Sequence, residues 1–436
     1  MMTDLRFTLR QLLRNRGFTA VVVMTLALAG WLQAAESKIG FWDTPRRGAN
    51  FFNNVELAER FVAARQAGVE FVRLAPNKWL NGRPESRRGD FLLGPPGPFS
   101  RLETNDVGML RRVLDDAHAA NLKVVLTMLS LPGSRWRQHN AGMQEFALWH
   151  DFKRQQEALE CWRQLAQALR DHPAVVGYNL LNEPCPERAA PPRLADWFTG
   201  DYEAWQASVR DTPADLSRFY EQAVRVIRET DGDTPIILDS GFYATPWGFK
   251  VLRPVADSKT LYAFHFYEPF AFTNHRNQGR YAYPGRIPTG ELEAPPVEEW
   301  NLARMRSFLK PVSDWQQRWG WPARRILVGE VGVYRRNDGA ARYLDDALSL
   351  FTEQGWHWAF YAFREDNWDG MDYELGTSPP TAAYWQALES GRMPGAEVYL
   401  GNELFDVIRE HLGLRAAPQT PVIRDLPPAR PLTNYP

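Results

Sequence analysis

The stretch AVVGYNLLNEP, residues 174–184, is an apolar run that ends in a polar Asn-Glu-Pro triplet. A short, continuously apolar run is typical of a strand buried on both faces, as in a parallel sheet. A second apolar run, residues 326–328, ends in a similar way at Gly329-Glu330. A carboxylate at the mouth of a buried strand loses hydration, which is costly unless neighbouring groups compensate. We therefore expect Glu183 and Glu330 to serve a chemical purpose.

Strand-like and helix-like stretches alternate along the chain after residue 36. Predicted strands cover residues 48–51, 69–74, 122–129, 174–181, 235–238, 261–267, 326–331 and 356–363. Helical patterns fall between them, at residues 55–66, 109–120, 152–169, 216–228, 302–319 and 341–351. Strand-then-helix units repeated about eight times predict an α/β fold, a (β/α)₈ TIM barrel. The alternative is a doubly wound open sheet, which is weakened because no glycine-rich phosphate fingerprint follows the first strand.

The composition is that of a globular protein, with a net charge of −1 and no basic stripe. We therefore expect no nucleic-acid partner. The 17 tryptophans are expected mainly in the core, although such rings also suit a cleft that stacks sugars. The two cysteines, Cys161 and Cys185, show neither metal-ligand spacing nor a disulfide framework, and a single bridge between them stays open.

The N-terminus has the pattern of a secretory signal. Four arginines precede the apolar residues 18–32, and a small-residue exit follows. An apolar stretch of roughly 15 residues is short for a membrane span, which needs about 20, so an uncleaved anchor is the alternative. The predicted organisation is a signal peptide or membrane anchor at 1–35, the barrel domain at 36–395, and a C-terminal extension at 396–436 that is proline-rich at its end. We expect a monomer that is secreted or periplasmic, and membrane-bound only if the first segment is retained.

Polar residues stand at the ends of several predicted strands. The set comprises Arg73, Asn182, Glu183, His265, Tyr267 and Glu330. In a TIM barrel the carboxyl ends of the strands meet on the face that carries the active site. Two carboxylates from different strands are the machinery that breaks a glycosidic bond. Glu268, directly after Tyr267, is expected to point to the opposite face and to be structural.

This set resembles glycoside hydrolase family 5, the family of many cellulases and mannanases. Asn-Glu-Pro at 182–184 is similar to the acid/base motif of that family, and VGEVG at 328–332 is similar to its nucleophile motif. His265-Phe266-Tyr267 resembles its sixth-strand His-x-Tyr, and Arg73 resembles its second-strand arginine. The resemblance extends over residues 40–390.

The resemblance implies hydrolysis with retention by a double displacement. Glu330 is then the nucleophile and Glu183 the acid/base, with carboxyl groups about 5–5.5 Å apart. Arg73 would favour the ionised form of Glu330 through charge-assisted hydrogen bonds, although a structural ion pair is the alternative. By the same resemblance Tyr267 bonds Glu330, and Asn182 holds the sugar 2-OH. His265 would line the cleft, or else be an ordinary core histidine.

Two positions depart from the family pattern. The family usually has a histidine beside the cleft where this chain has Leu129, and its eighth strand carries a tryptophan under the sugar that is absent here. Trp358 or Trp368 is expected to take over that role as a substrate-binding platform. Both departures alter the pocket, so the identity of the substrate stays open, whereas the predicted reaction is not affected.

The predicted activity is that of a retaining β-glycosidase acting on an oligo- or polysaccharide, with an endo-β-glucanase of cellulase type as the first choice. A β-mannanase and a glycoconjugate-directed β-glycosidase are alternatives within the family. A non-catalytic glycan-binding barrel, either free or tethered to a membrane, is the alternative of another class. No cofactor is expected, and no metal, because the histidines are scattered and no Walker loop or His-Glu-x-x-His is present.

Overall fold

The computed structural model describes residues 37–52, 57–79, 90–137, 142–189, 191, 193–194, 200–290, 296–365, 370–389 and 402–414. The predicted signal or anchor segment, Trp368 and the proline-rich end of the C-terminal extension lie outside these residues. The strands are β1 (Arg47–Phe51), β2 (Phe71–Leu74), β3 (Lys123–Thr127), β4 (Val175–Asn179), β5 (Ile236–Asp239), β6 (Thr260–Phe266), β7 (Gly285–Pro288), β8 (Val297–Trp300), β9 (Ile326–Val331) and β10 (His357–Phe360).

Eight of these strands close into a parallel barrel. Around the barrel the order is β1, β2, β3, β4, β5, β6, β9 and β10, and β10 pairs back onto β1 with Ala49 opposite Phe360. This closure confirms the predicted (β/α)₈ TIM barrel and rules out the open doubly wound sheet. The eight predicted strands coincide with the observed ones, with boundaries that shift by up to three residues.

One end of the barrel is sealed by apolar groups. The short helix Lys38–Asp43 crosses that end, and Trp42 packs against Phe71 at 5.2 Å and His357 at 4.8 Å between ring centroids. The indole nitrogen of Trp42 donates a hydrogen bond to the carbonyl of Val176 at 2.8 Å. Further along, the barrel interior changes to polar side chains, and these lie at the carboxyl ends of the strands.

Helices surround the barrel. They span Ala58–Gln66, Thr104–Ala119, Phe152–Leu169, Pro186–Ala189, Tyr202–Val209, Leu216–Arg228, Phe270–Thr273, Leu302–Phe308, Lys310–Trp319, Ala340–Gln354, Ala382–Glu389 and Glu403–His411. Two of them have the predicted bounds, because their apolar residues recur at helical spacing and an aspartate caps each N-terminus. The helix predicted over 302–319 is two helices that meet at Leu309.

A hairpin interrupts the barrel pattern between β6 and β9. Strands β7 and β8 pair antiparallel, with Gly285 opposite Trp300, in a region where the sequence pattern predicts no strand. Its strands are four residues each, and three of the four β8 residues are not buried. Such short strands carry little periodicity, so sequence patterns miss them.

Part of the predicted C-terminal extension packs on the barrel. Helix Glu403–His411 buries Leu404, Phe405 and Ile408, and His411 lies 3.0 Å from Asp345 of the helix Ala340–Gln354. Residues 402–414 of the extension therefore share the barrel's core.

No helix in the described ranges is both long and apolar enough to cross a membrane. Cys161 and Cys185 are both buried and free, so the bridge left open by the sequence is not formed.

Candidate active site

The two predicted carboxylates meet at the polar end of the barrel. Glu183 follows β4, and Glu330 lies within β9, opposite His265 of the adjacent strand β6. One carboxylate oxygen of Glu183, one of Glu330 and a ring nitrogen of His265 all lie within 4.8 Å of one another. Since the two glutamates are 147 positions apart in the sequence, the barrel alone brings them together.

Glu330 is held by two donors. Nη1 of Arg73 donates to Oε1 at 2.9 Å, and the hydroxyl of Tyr267 donates to Oε2 at 2.7 Å. Burial pushes the pKa of Glu330 upward, but the positive charges of His265 and Arg73, together with these donors, outweigh burial and hold the pKa below its ordinary value. The carboxylate is therefore ionised at neutral pH, as a nucleophile must be.

Arg73 is hydrogen-bonded to several residues of the site. It is completely buried, and besides Glu330 it donates to Asn50 Oδ1 at 2.7 Å, to Asn179 Oδ1 at 2.7 Å and to Asn182 Oδ1 at 2.9 Å. A buried guanidinium is tolerated when its charge is matched and its terminal nitrogens are bonded in this way. The arginine thus links four strands of the barrel and also faces the carboxylate of Glu330. It therefore has a structural role and a role in the site.

Glu183 has a different environment. Its backbone lies in the left-handed region at φ +51°, its side chain is 20% exposed, and its Oε1 lies 2.9 Å from Nδ1 of His265. Burial raises the pKa of Glu183 above its ordinary value, against the opposing hydrogen bond and charge of His265. Glu183 therefore keeps its proton to a higher pH than Glu330, which separates an acid from a nucleophile.

His265 lies among three carboxylates. Its Nδ1 is 3.7 Å from Glu330, and its Nε2 is 3.6 Å from Asp239. Burial lowers the pKa of His265, but the negative charge of Glu330, the bond to Glu183 and the charge of Asp239 outweigh burial and leave the pKa raised. The ring lies between the two glutamates and interacts electrostatically with both. This role is more specific than the two predicted ones, lining the cleft or being an ordinary core histidine.

The same three side chains are the one group in the described residues with the spacing of a metal site. One imidazole and two carboxylates are donors that suit zinc. The guanidinium of Arg73 beside Glu330, and the imidazole bonded to Glu183, put positive charge where a cation would bind. This arrangement disfavours a resident metal, and the expected absence of a metal stays a prediction.

An apolar wall lies beside the carboxylates. The cluster contains Phe52, Ala75, Leu129, Tyr361 and Ala362, with Trp136, Tyr267 and Met371 packed against it. Leu129 was expected here from its departure from the family pattern. Tyr361 was not: the sequence interpretation looked for a tryptophan and overlooked the ring just beyond β10.

The structure does not bring Trp358 to this wall. Trp358 is 1% exposed and packs in the main cluster of the core, whereas its neighbour Ala359 faces the barrel interior. Tyr361, which follows the last residue of β10, packs against Phe52 at 5.5 Å between ring centroids, in the cluster that Tyr267 also contacts. The expectation of a Trp358 platform therefore does not fit its position. Trp368, the other candidate, lies outside the described residues.

The prediction that Glu268 points to the opposite face depends on a strand that continues through it. Strand β6 ends at Phe266, so the alternation that would turn Glu268 away does not apply. Burial raises the pKa of Glu268 to about 7, and the neighbouring charges of His265 and Glu183 contribute to its value. A third titratable carboxyl group thus lies within electrostatic range of the pair.

Three polar residues of the site were missed from the sequence. Asp239 ends β5, and its carboxylate accepts from the backbone N–H of Glu183 at 3.2 Å and from Asn179 Nδ2 at 2.8 Å. Asn179 ends β4 and Asn50 lies near the end of β1; both accept from Arg73. The signal was available, because each is a polar residue at the carboxyl end of an otherwise apolar strand.

A closed (β/α)₈ barrel with paired glutamates after its fourth strand and in its seventh belongs to the glycoside hydrolases. Comparison with protein-family models identifies the particular family. The family model described as Cellulase (glycosyl hydrolase family 5) matches residues 36–367, so the chain belongs to glycosyl hydrolase family 5 and is an O-glycosyl hydrolase. The resemblance seen in the motifs is confirmed.

Curated relatives are distant. Endoglucanase C of Acetivibrio thermocellus is 24% identical over 288 residues, which cover 61% of this chain and 73% of that protein. A beta-xylosidase of Phanerodontia chrysosporium is 24% identical over 287 residues, covering 62% of this chain and 51% of that protein. Their names differ in substrate, so membership of the family leaves the substrate of this chain to be argued separately.

Solved structures share the fold. Endoglucanase Cel5A from Thermotoga maritima superposes with a TM-score of 0.53 at 18% identity, covering 85% of this chain and 98% of that chain. Cel5A of Pseudomonas stutzeri, determined in complex with cellobiose, gives a TM-score of 0.52 at 16% identity, covering 86% and 96%. At these identities the likeness establishes the barrel.

Proposed function

We propose that the protein hydrolyses a β-linked glycan by double displacement with retention, and that its activity is that of an endo-β-glucanase. The observation that carries the proposal is the glutamate pair, whose oxygens approach within 4.8 Å and whose pKa values shift in opposite directions. An inverting enzyme needs carboxyl groups roughly 6.5–9.5 Å apart to admit a water. The close approach supports retention.

Each glutamate has one role in each step. Glu330 attacks the anomeric carbon and forms a glycosyl ester, while Glu183 protonates the oxygen of the departing sugar. The negative charge of Glu330 is one of the contributions that raise the pKa of Glu183, and esterification removes that charge. Glu183 then becomes more acidic and can take a proton from the water that cleaves the ester.

Neighbouring groups orient the nucleophile and the sugar. Arg73 and Tyr267 each hold one oxygen of Glu330, so its attacking lone pair is aimed by two bonds. The amide oxygen of Asn182 accepts from Arg73, which orients its amide nitrogen as a donor for a sugar hydroxyl. A donor to the 2-OH that tightens in the transition state lowers the barrier.

The choice of a β-glucan rests on the relatives. Endoglucanases are among the curated proteins similar to this chain, and a β-mannanase or glycoconjugate-directed enzyme is the alternative within the family. A non-catalytic sugar-binding barrel is disfavoured, because binding alone has no need for a buried ionised glutamate beside a protonated one. The leader pattern at 1–35 supports a secreted or periplasmic location, with anchoring to the membrane if the leader stays uncleaved.

A mechanism-based label tests the proposal. Incubation with 2,4-dinitrophenyl 2-deoxy-2-fluoro-β-cellobioside should release one equivalent of dinitrophenol and leave the sugar on the peptide that contains Glu330. A panel of β-glycans with product analysis then identifies the substrate and the cleavage mode. Reversible binding of the probe without release, or a label on Glu268 in place of Glu330, would overturn the assignment.

A further inference from the structure

A turn rich in aromatic and basic side chains lies at the sealed end of the barrel. It reads RWGWPARR over residues 318–325 and leads into β9, so it lies where the strands begin and away from the cleft. We call this segment the Trp-Arg turn. Trp321 packs against the core, whereas Trp319 is 45% exposed, and Arg318 and Arg324 are exposed as well. One exposed ring is ordinary on a protein surface, so its meaning depends on what lies beside it.

The segment that joins the predicted leader to the barrel is bound beside this turn. The hydroxyl of Ser37 donates to Asp233 at 2.5 Å, and the backbone N–H of Lys38 donates to the same carboxylate at 3.1 Å. Arg325 of the Trp-Arg turn donates to Asp43, in the helix that crosses the sealed end, at 3.1 Å. The chain that follows the leader therefore enters the barrel at the sealed end, in contact with the Trp-Arg turn.

The short connection to the leader limits how the barrel can stand on a membrane. Five residues lead from the end of the apolar stretch at Leu32 to Ser37, a span of at most about 18 Å even in a fully extended chain. The seven residues of β6 rise about 19 Å along the barrel axis at the usual strand tilt of about 36°, and the loops of the cleft face stand beyond them. If the cleft faced the bilayer, Ser37 would lie farther from the lipid than the connection reaches. A leader that is retained in the membrane therefore keeps the sealed end nearer the lipid than the cleft.

We propose that the leader stays uncleaved as an anchor and that the Trp-Arg turn lies on the surface of the bilayer. The proposal rests on the leader pattern at 1–35 and on the position of the turn, and it is independent of the hydrolase activity. The cleft then opens to the aqueous side, where a polymeric glycan can reach the glutamate pair.

The chemistry of the turn suits anionic lipid headgroups. Its three arginines outnumber the acid that pairs with two of them, because Asp43 lies 3.4 Å from Arg324 and 3.1 Å from Arg325. Basic side chains are attracted to an anionic lipid surface, and tryptophan is enriched at the interface between membrane and water. The exposed ring of Trp319 is therefore placed to enter the headgroup region once the sealed end lies on the bilayer.

A fluorescent label tests this orientation in the full chain. Gln317→Cys puts the label at an exposed position next to the turn, and Met143→Cys puts it on the loop after β3 at the cleft face, where the side chain is 64% exposed. Cys161 and Cys185 are buried, so the label reacts with the introduced thiol. In vesicles of phosphatidylcholine and phosphatidylglycerol, nitroxide-labelled lipids should quench the label at 317 severalfold more than the label at 143. Equal quenching, or stronger quenching at 143, would overturn the proposal, as would a chain that has lost residues 1–35.

Removing charge from the turn tests the contact itself. Arg318→Ser combined with Arg324→Ser should lower the ratio of docked to undocked barrel, measured from the quenching at 317, about 30-fold, because each basic side chain near an anionic surface contributes about a factor of five. The matched control removes two exposed arginines from the cleft face, Arg101→Ser with Arg276→Ser, and should leave this ratio unchanged. Equal losses in the two double variants would overturn the proposal, because the attraction would not be specific to the turn.

Activity separates this proposal from the proposed function. Cellotetraose and 2,4-dinitrophenyl β-cellobioside are small, soluble substrates that reach the cleft whether or not the barrel is docked. The variants of the turn should keep kcat/KM for both of them, and a loss on both would show that the turn supports the fold and not docking. A wild-type protein that is inactive on both substrates but quenched at 317 would overturn the proposed function and leave the membrane surface intact.

Discussion

Arg73 donates to Oε1 of Glu330 at 2.9 Å while its second terminal nitrogen donates to Asn182 at 2.9 Å, so one guanidinium holds the nucleophile and the predicted sugar-binding amide together. A lysine at this position keeps the charge but loses the planar fork. Arg73→Lys should lower kcat/KM by about 100-fold, the value of one or two charged hydrogen bonds.

The same substitution predicts a change in the pH profile of kcat/KM. Because a looser cation stabilises the ionised carboxylate less, the pKa of Glu330 should rise, and the acid limb of the profile should move to higher pH. Arg318→Lys, an exposed change at the sealed end of the barrel, is the control. An Arg73→Lys enzyme with a normal rate and an unmoved acid limb would contradict the role given to Arg73.

The glutamate pair predicts two different kinetic defects. Glu183→Gln removes the acid, which is worth about 10²–10⁴-fold, and the loss should be large for cellotetraose but small for the glycosylation step with a dinitrophenyl leaving group. Glu330→Gln removes the nucleophile and should abolish turnover of both substrates. Steady-state and burst kinetics measure the difference, and circular dichroism checks that both variants are folded.

Removing the charge of Asp239 should shift the basic limb of the pH profile of kcat/KM. Its carboxylate holds the backbone N–H of Glu183 at 3.2 Å, and its negative charge is one of the contributions that raise the pKa of Glu183. Asp239→Asn keeps an acceptor but removes the charge, so the pKa of Glu183 should fall and the basic limb should move to lower pH. The measurement is kcat/KM against pH. A basic limb that stays in place or moves upward would argue that Asp239 is only a backbone anchor.

Glu187 predicts a pH-dependent stability. Burial raises the pKa of Glu187 from 4.5 to about 7, so between these values the folded state binds more protons than the unfolded state. The free energy of unfolding therefore falls as pH rises through this window. Above the window the full loss of unfolding free energy has been reached. Glu187→Gln should stabilise the protein by at most about 3 kcal/mol at pH 8 and by much less at pH 5.

Chemical denaturation at the two pH values measures this difference. The wild-type pH dependence contains other groups, because burial also raises the pKa values of Asp90 and Glu268 to about 7. Comparing variant and wild type at each pH isolates Glu187. Equal effects of Glu187→Gln at pH 5 and pH 8 would mean that its carboxyl group titrates normally.

Trp42 predicts a loss of stability without a catalytic defect. Its ring closes the sealed end of the barrel and is completely buried against Phe71 and His357. Trp42→Ala opens a cavity and removes the hydrogen bond to Val176, so it should cost about 3–5 kcal/mol of unfolding free energy. The KM of the folded fraction should stay unchanged, since the site lies at the other end. A large rise in KM would show that the two ends are coupled.

Much of the fold was predictable because the signal is local. Apolar runs at residues 174–181 and 326–331 mark buried strands, and the apolar residues of the helix Phe152–Leu169 recur at helical spacing. The hairpin β7–β8 was missed because its short strands carry little of this periodicity. The convergence of Glu183 and Glu330 followed from a general property of barrels, in which the carboxyl ends of all strands share one face.

The sequence by itself determined the alternating strands and helices, and with them the face on which the acidic residues gather. The tertiary structure decided which ring packs in the cluster beside the carboxylates, Tyr361 and not Trp358, and which partners tune each carboxylate. Strand periodicity depends on neighbours two to four positions apart, whereas a pKa depends on burial and on charges brought from elsewhere. Arg73 and Glu330 are separated by 257 positions, and only the closed barrel puts the cation against the carboxylate that it keeps ionised.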